Sequence, residues 1–156
     1  MSTRISNTPA LLIPKELFKE EKIREYWNLL HPGYQPENLG KDNLKDLFLL
    51  YSKSEEEEST HEITILYEKF IEKFSDHEHA ICINVHEIGF NLLVIKNRDI
   101  AYTGYFHYSG KEDVLYHLAN VSQRFFEDIS SVVFIYQQLP TSISHFLDHY
   151  YEMKKI

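Results

Sequence analysis

The sequence predicts an α/β protein whose best-defined part is a three-stranded antiparallel meander, carried through a crossover helix to a strand parallel to the first. Three observations predict this. Residues 79–108 hold three β-rich runs, at 80–85, 90–96 and 100–108, with short turn-like segments between them. Val114, Leu115, Leu118, Val121, Phe125 and Phe126 then recur at helical spacing. Residues 132–136, Val-Val-Phe-Ile-Tyr, form a continuous apolar run, the pattern of a strand covered on both faces.

The elements ahead of the meander are shorter. Residues 1–8 read as a disordered tail, and 9–13 as a short buried strand. Pro14, at a position favoured in a first helical turn, opens a helix striped by Leu17, Phe18, Ile23, Tyr26, Trp27 and Leu30, with a break near Lys19; His31-Pro32-Gly33 ends it. Residues 34–43 are polar and read as loop, and 47–51 as a second buried strand. The acidic run Glu55 to Glu58 belongs in water, because clustered like charges repel. Ser59 and Glu62 have the spacing of a capping box, which starts a helix striped by Ile63, Leu66, Tyr67, Phe70, Ile71 and Phe74. Ser109 and Glu112 repeat that spacing before the crossover helix, and Ile143, Phe146, Leu147, Tyr150 and Tyr151 mark a last helix.

A chain of 156 residues fits one domain or two small lobes and buries a sizeable core. Its 43% hydrophobic and 14% aromatic content excludes wholesale disorder. Cys82 has no partner in the chain, which suits a reducing compartment, and neither a spanning helix nor the apolar core of a signal peptide is present. The expected location is the cytoplasm, without membrane insertion. A net charge of −8 argues against a nucleic-acid partner, which calls for a concentrated basic face.

The order strand, strand, strand, helix, strand, helix from residue 79 is the ribonuclease H-like layout, which actin-like ATPases use twice. Ile-Pro-Lys-Glu-Leu at 13–17, His31-Pro32, residues 83–95, Gly-Tyr-Phe-His-Tyr at 104–108 and Asp-Val-Leu-Tyr-His-Leu at 113–118 resemble an uncharacterised bacterial family, the domain of unknown function numbered 3822. That family is similar to a divergent branch of the actin-like superfamily. The resemblance implies a ribonuclease H-like (actin-like) lobe at 79–156, preceded by a shorter, incomplete αβ lobe at 9–78. The lobe is expected to be incomplete because family members carry a further strand-rich segment ahead of the Ile-Pro-Lys-Glu-Leu stretch.

The resemblance also says where nucleotide chemistry would sit. Actin-like ATPases grip phosphate in the turn between the first two strands of each lobe, through an Asp-x-Gly pattern. On this chain the Asp falls on Asn84 and the Gly on His86. Losing the carboxylate weakens the hold on hydrated Mg²⁺, and a side chain at the Gly position obstructs close backbone approach. Glu87 adds a negative charge beside the phosphates. The adenosine loop, normally carrying paired glycines, falls on Gln137-Gln138, and no glycine follows Gly110. Asn84, His86 and Glu87 thus form a degenerate phosphate turn, and Gln137 and Gln138 a degenerate adenosine loop. The function expected is a non-catalytic actin-like interaction module without cofactor; the alternative is a divergent nucleotide-binding protein or weak ATPase. A ribonuclease H-type nuclease would need its first-strand Asp at the same Asn84.

Other chemistry is weaker still. His145-x-x-x-His149 has ligand-pair spacing, but Phe146 stands where a metalloprotease motif has Glu, and the apolar stripe turns both imidazoles outward. His77 and His79 lie in a polar loop, so no metal site is expected. Cys82 sits within a buried strand, where a thiol is inert, and the Ser and Thr residues lack a nucleophile's context, so no catalytic residue is assigned.

The third meander strand is expected at a sheet edge with neither proline nor a charged residue along residues 100–108 to protect it. Alternation would put Ile100, Tyr102, Phe106 and Tyr108 on one face and Ala101, Thr103, Tyr105 and His107 on the other. Tyr102, Thr103, Tyr105 and His107 are therefore the expected contact residues for a protein partner or a second copy.

Overall fold

The computed structural model describes residues 4–53 and 58–156. It is a mixed α/β fold with antiparallel and parallel strands. The chain divides after Ile65 into two compact units, earlier than the 78/79 boundary read from the sequence, so that the division falls inside a helix. Of the acidic run, Glu55 to Glu57 lie outside the described residues, and Glu58 is exposed.

In the first unit, β2 (Ala10–Pro14), β3 (Asn38–Leu44) and β4 (Leu47–Lys53) form an antiparallel sheet in the order β2-β4-β3. β1 (Arg4–Ser6) pairs in parallel with β5 (Ser59–His61). Four sequence expectations need correction here. Arg4–Ser6, read as tail, is a strand because β5 lies alongside to take its backbone bonds. Pro14 ends β2 opposite Leu47 instead of opening a helix; two 3₁₀ turns intervene, and α1 begins at Ile23 and runs to Leu30. Proline fits there because an edge strand has one side whose amides pair with nothing. The polar stretch read as loop contains β3, whose Gly40 lies under the Tyr51 ring, where a Cβ would collide with it. Lys45, at φ 54°, closes the β3–β4 hairpin. Finally, Ser59 does not cap a helix: it belongs to β5, and α2 runs Glu62–Lys73. Trp27 of α1 is fully buried with Leu11, Ile13 and Leu50, and its indole N–H donates to the Tyr34 carbonyl at 2.9 Å.

The second unit carries a five-stranded sheet in the order β10-β9-β6-β7-β8, with β6 (His79–Val85), β7 (Gly89–Lys96), β8 (Asp99–His107), β9 (Val132–Tyr136) and β10 (Met153–Lys155). The meander is β6-β7-β8, and β9 runs parallel to β6 as read from the sequence. β10, parallel to β9, lies beyond the last helix read from the sequence, where nothing was expected; that helix, α4, runs only Thr141–Leu147 and leaves out Tyr150 and Tyr151. One sheet face packs Ile81, Ile83, Phe90, Leu92, Val94 and Phe134 under Val114, Leu118 and Val121 of α3 (Lys111–Phe125), with Ile143 and Leu147 of α4. Each such buried side chain contributes roughly 1.5–3 kcal/mol. The start of α3 also departs from expectation: Gly110 is the N-cap, and Asp113 rather than Glu112 reaches back, accepting the Ser109 amide at 2.8 Å.

Asn97 and Arg98, both at positive φ, close the β7–β8 hairpin as a two-residue turn. A register shift follows: Val94 faces Tyr102, but Ile95 faces Ile100, leaving Ala101 unmatched. Neighbouring positions on β7 point to opposite faces, so Ile100 lies on the face opposite Tyr102. Simple alternation had placed them together.

Candidate functional site

The ends of β6 and β9 meet at Asn84. It is almost wholly buried, opposite the equally buried Asn91 on β7. Its side-chain Oδ1 accepts the amide of Gln137 at 3.2 Å and that of Gln138 at 3.0 Å, and the next amide along β6, Val85 N–H, donates to the Gln138 carbonyl at 2.8 Å. Three bonds therefore tie the turn-side end of β6 to the segment following β9. The structure brings together the two stretches that the sequence had singled out separately.

The turn itself is closed from within. His86 N–H donates to the Gly89 carbonyl at 2.9 Å, the Tyr108 hydroxyl donates to the His86 carbonyl, and the Tyr108 amide donates to the Ile88 carbonyl at 3.3 Å. Burial, aided by the Glu87 charge, pushes the Tyr108 phenol above its ordinary value, which keeps it a donor. Gly89 could have let a ligand approach the backbone, but it lies beneath the Tyr105 ring, whose hydroxyl occupies the space a Cβ would need. The amides of Val85, His86, Gln137 and Gln138 are thus all engaged by the protein. A phosphate would have to displace those partners, with the exposed Glu87 carboxylate beside it. Tyr108 was part of the sequence pattern but carried no assignment; nothing in spacing alone reveals that its hydroxyl reaches back across the turn.

The four proposed contact residues lie on β8, an edge of the five-stranded sheet. Tyr102 packs toward the core with its ring 5.4 Å from Phe125, and burial raises its phenol pKa, partly offset by Arg124. Tyr105 and His107 make an edge-to-face contact at 5.2 Å, and His107 is exposed. Phe106, on the other face, stacks on His117 of α3 at 4.4 Å.

The first unit holds a polar cluster that the sequence reading missed. Asp42 Oδ2 accepts His61 N–H at 2.8 Å and the Thr64 hydroxyl at 2.6 Å. The Tyr51 hydroxyl lies 2.6 Å from the Ser59 carbonyl and 3.1 Å from Asp42 Oδ1. Burial, with the Asp42 charge, pushes the Tyr51 phenol up to about 12. His61 Nδ1 accepts Ile63 N–H at 3.1 Å, which leaves Nε2 to donate to the Thr8 carbonyl at 2.6 Å and fixes a neutral tautomer. These groups bond one another, so the cluster braces β3, β4, β5 and the start of α2. Asp42 and His61 are nineteen positions apart, with no motif linking them. A cavity of about 400 Å³ opens beside it, lined by Arg4, Ser6, Thr8, Tyr34, Ser52 and Lys53 among others. His145 and His149 are exposed on and after α4, and His79 Nδ1 accepts the Asn97 amide at 3.2 Å.

The sequence profile of the family described as "Protein of unknown function (DUF3822)" matches residues 4–135. A crystal structure from Bacteroides thetaiotaomicron VPI-5482, described as a protein with actin-like ATPase fold and unknown function, superposes with a TM-score of 0.78 at 17% identity, over 97% of this chain and 66% of that one. This chain thus spans just under two thirds of that protein's length, and the likeness establishes an actin-like ATPase fold. No curated protein matches.

Proposed function

The chain belongs to the DUF3822 family of proteins of unknown function, and from that premise we propose that it is a non-catalytic, actin-like protein-interaction module. The second unit is read as a ribonuclease H-like lobe and the first as a shorter αβ lobe. One observation carries the proposal: Asn84 Oδ1 accepts both the Gln137 and Gln138 amides, so the degenerate phosphate turn and the degenerate adenosine loop are bonded to each other. Gln137, Gln138, His86 and Glu87 then act as a closed seam, and recognition passes to the protein's surface. A net charge of −8 disfavours nucleic acid as partner, and the buried Cys82 suits a reducing cytoplasm.

Titration calorimetry with ATP and Mg²⁺ tests this reading. We expect no binding heat at roughly 1 mM nucleotide; a Kd tighter than about 100 µM would favour a divergent nucleotide-binding protein or weak ATPase.

A further inference from the structure

We propose that the chain pairs with a second copy of itself along β8, antiparallel, about a two-fold axis at Tyr105. This deepens the interaction-module reading by naming the partner, and it rests on that reading.

The backbone supplies the first argument. Tyr108 N–H donates to the Ile88 carbonyl, one step beyond the Gly89–His107 match that ends the β7–β8 ladder. Hydrogen-bonded pairs alternate along an antiparallel ladder. Phe106, Gly104 and Tyr102 therefore turn their backbone groups toward β7, whereas Thr103, Tyr105 and His107 turn theirs away from it. The unmatched Ala101 interrupts that alternation, so the regular outward edge is confined to residues 102–107. A strand added antiparallel to so short an edge has one register that uses all three outward residues: Thr103 of one copy faces His107 of the other, and Tyr105 lies on the axis. Each facing pair can then exchange two N–H···O bonds.

Charge supplies the second argument, and it selects the antiparallel sense and a like partner. The turn end of the β7–β8 hairpin exposes Lys96 and Arg98, with Arg124 acting on the nearby Tyr102, against Asp99 and Glu78, whose carbonyl accepts the Arg98 amide, and is net positive. The opposite end carries the exposed Glu87 and Glu112, with Asp113 and Lys111, and is net negative. A two-fold operation lays the positive end of each copy beside the negative end of the other; a parallel arrangement would set like charge against like. Isologous pairing of this kind closes after two copies.

Native mass measured at roughly 100 µM, where a micromolar pair is almost wholly associated, should be twice the 18.6 kDa of the single chain. A monomer would overturn the proposal. Thr103→Pro removes an outward amide, a position where an edge strand accepts proline, and should give a folded monomer; a folded variant that dimerises as before would refute the pairing. Should that variant not fold, Thr103→Lys with His107→Lys places lysines face to face, and dimer affinity should fall at least tenfold; an unchanged affinity refutes it equally. Thr103→Cys with His107→Cys in one chain should give a covalent dimer on oxidation, and a dimer that stays uncrosslinked overturns the register. The nucleotide titration reads a different quantity. Heat with ATP would sink the non-catalytic reading whatever the mass, and a monomer silent toward ATP would sink the self-pairing alone.

Discussion

Replacing Asn84 by Ala removes one oxygen that serves two amides. A buried donor left without its acceptor costs roughly 1–3 kcal/mol, whereas one that water can reach loses far less. Gln138 is exposed and Gln137 half-buried, so water replaces the first bond readily and the second poorly. With the packing forfeited around an almost wholly buried side chain, the expected destabilisation of the second unit is roughly 2–4 kcal/mol. Urea unfolding followed by circular dichroism measures the loss, and amide hydrogen exchange locates it, since protection should fall at Gln137 and Gln138 first. Asn84→Asp is the informative companion. It keeps an acceptor oxygen in place and should retain protection at both amides, yet it should not create ATP binding, because His86 and Glu87 still obstruct the turn. A loss below about 1 kcal/mol in Asn84→Ala, with exchange at both amides unchanged, would refute the idea that Asn84 holds the seam.

Three further outcomes follow from the structure. Phe134, buried in β9 with its ring 4.4 Å from Tyr151, should cost about 3–5 kcal/mol when changed to Ala, measured by chemical denaturation. Tyr51 has a folded-state pKa raised from 10 to about 12, so its contribution is fully present below pH 10 and is lost as pH rises from 10 through 12. A rise of that size is worth roughly 2.7 kcal/mol, and water in the cavity that Ser59 helps to line reduces this to about 1–2 kcal/mol; Tyr51→Phe should flatten that alkaline limb of the stability profile. Burial pushes the Cys82 thiol up to about 12, so iodoacetamide at about pH 8 should modify it only after denaturation, as mass spectrometry would show.

The second unit was legible in the sequence and much of the first was not, for a physical reason. Strands covered on both faces, such as β6, β7 and β9, must be apolar along their whole length, and a run like Val-Val-Phe-Ile-Tyr leaves few alternatives. β3 reads Asn-Leu-Gly-Lys-Asp-Asn-Leu. Its side chains carry loop chemistry because only Gly40 and Leu44 are buried, and what holds it is a ladder to β4 that composition does not record. Ser59 misled in the same way. Its hydroxyl has capping chemistry, but β1 offered the backbone of residues 59–61 a parallel partner, and His61 N–H found its acceptor in Asp42, far away in sequence. β10 was hidden because three residues, Met-Lys-Lys, carry no periodicity at all.

At the candidate site the sequence names Asn84, Gln137 and Gln138 but not the bonds that join them. Reading Asn84 where the resemblance implies a carboxylate says only that the side chain there is uncharged. The structure shows what the amide does instead: it keeps an acceptor oxygen at that position and directs it at two backbone donors from the segment after β9. A carboxylate there would carry a full charge into a nearly sealed position, which is costly unless a cation or several donors compensate it. An amide meets the same two donors without that cost. On the proposed reading, Asn84 and the glutamines at 137 and 138 belong together. With both amides bonded to Asn84, the end of β6 and the segment after β9 are held to each other by the protein's own groups.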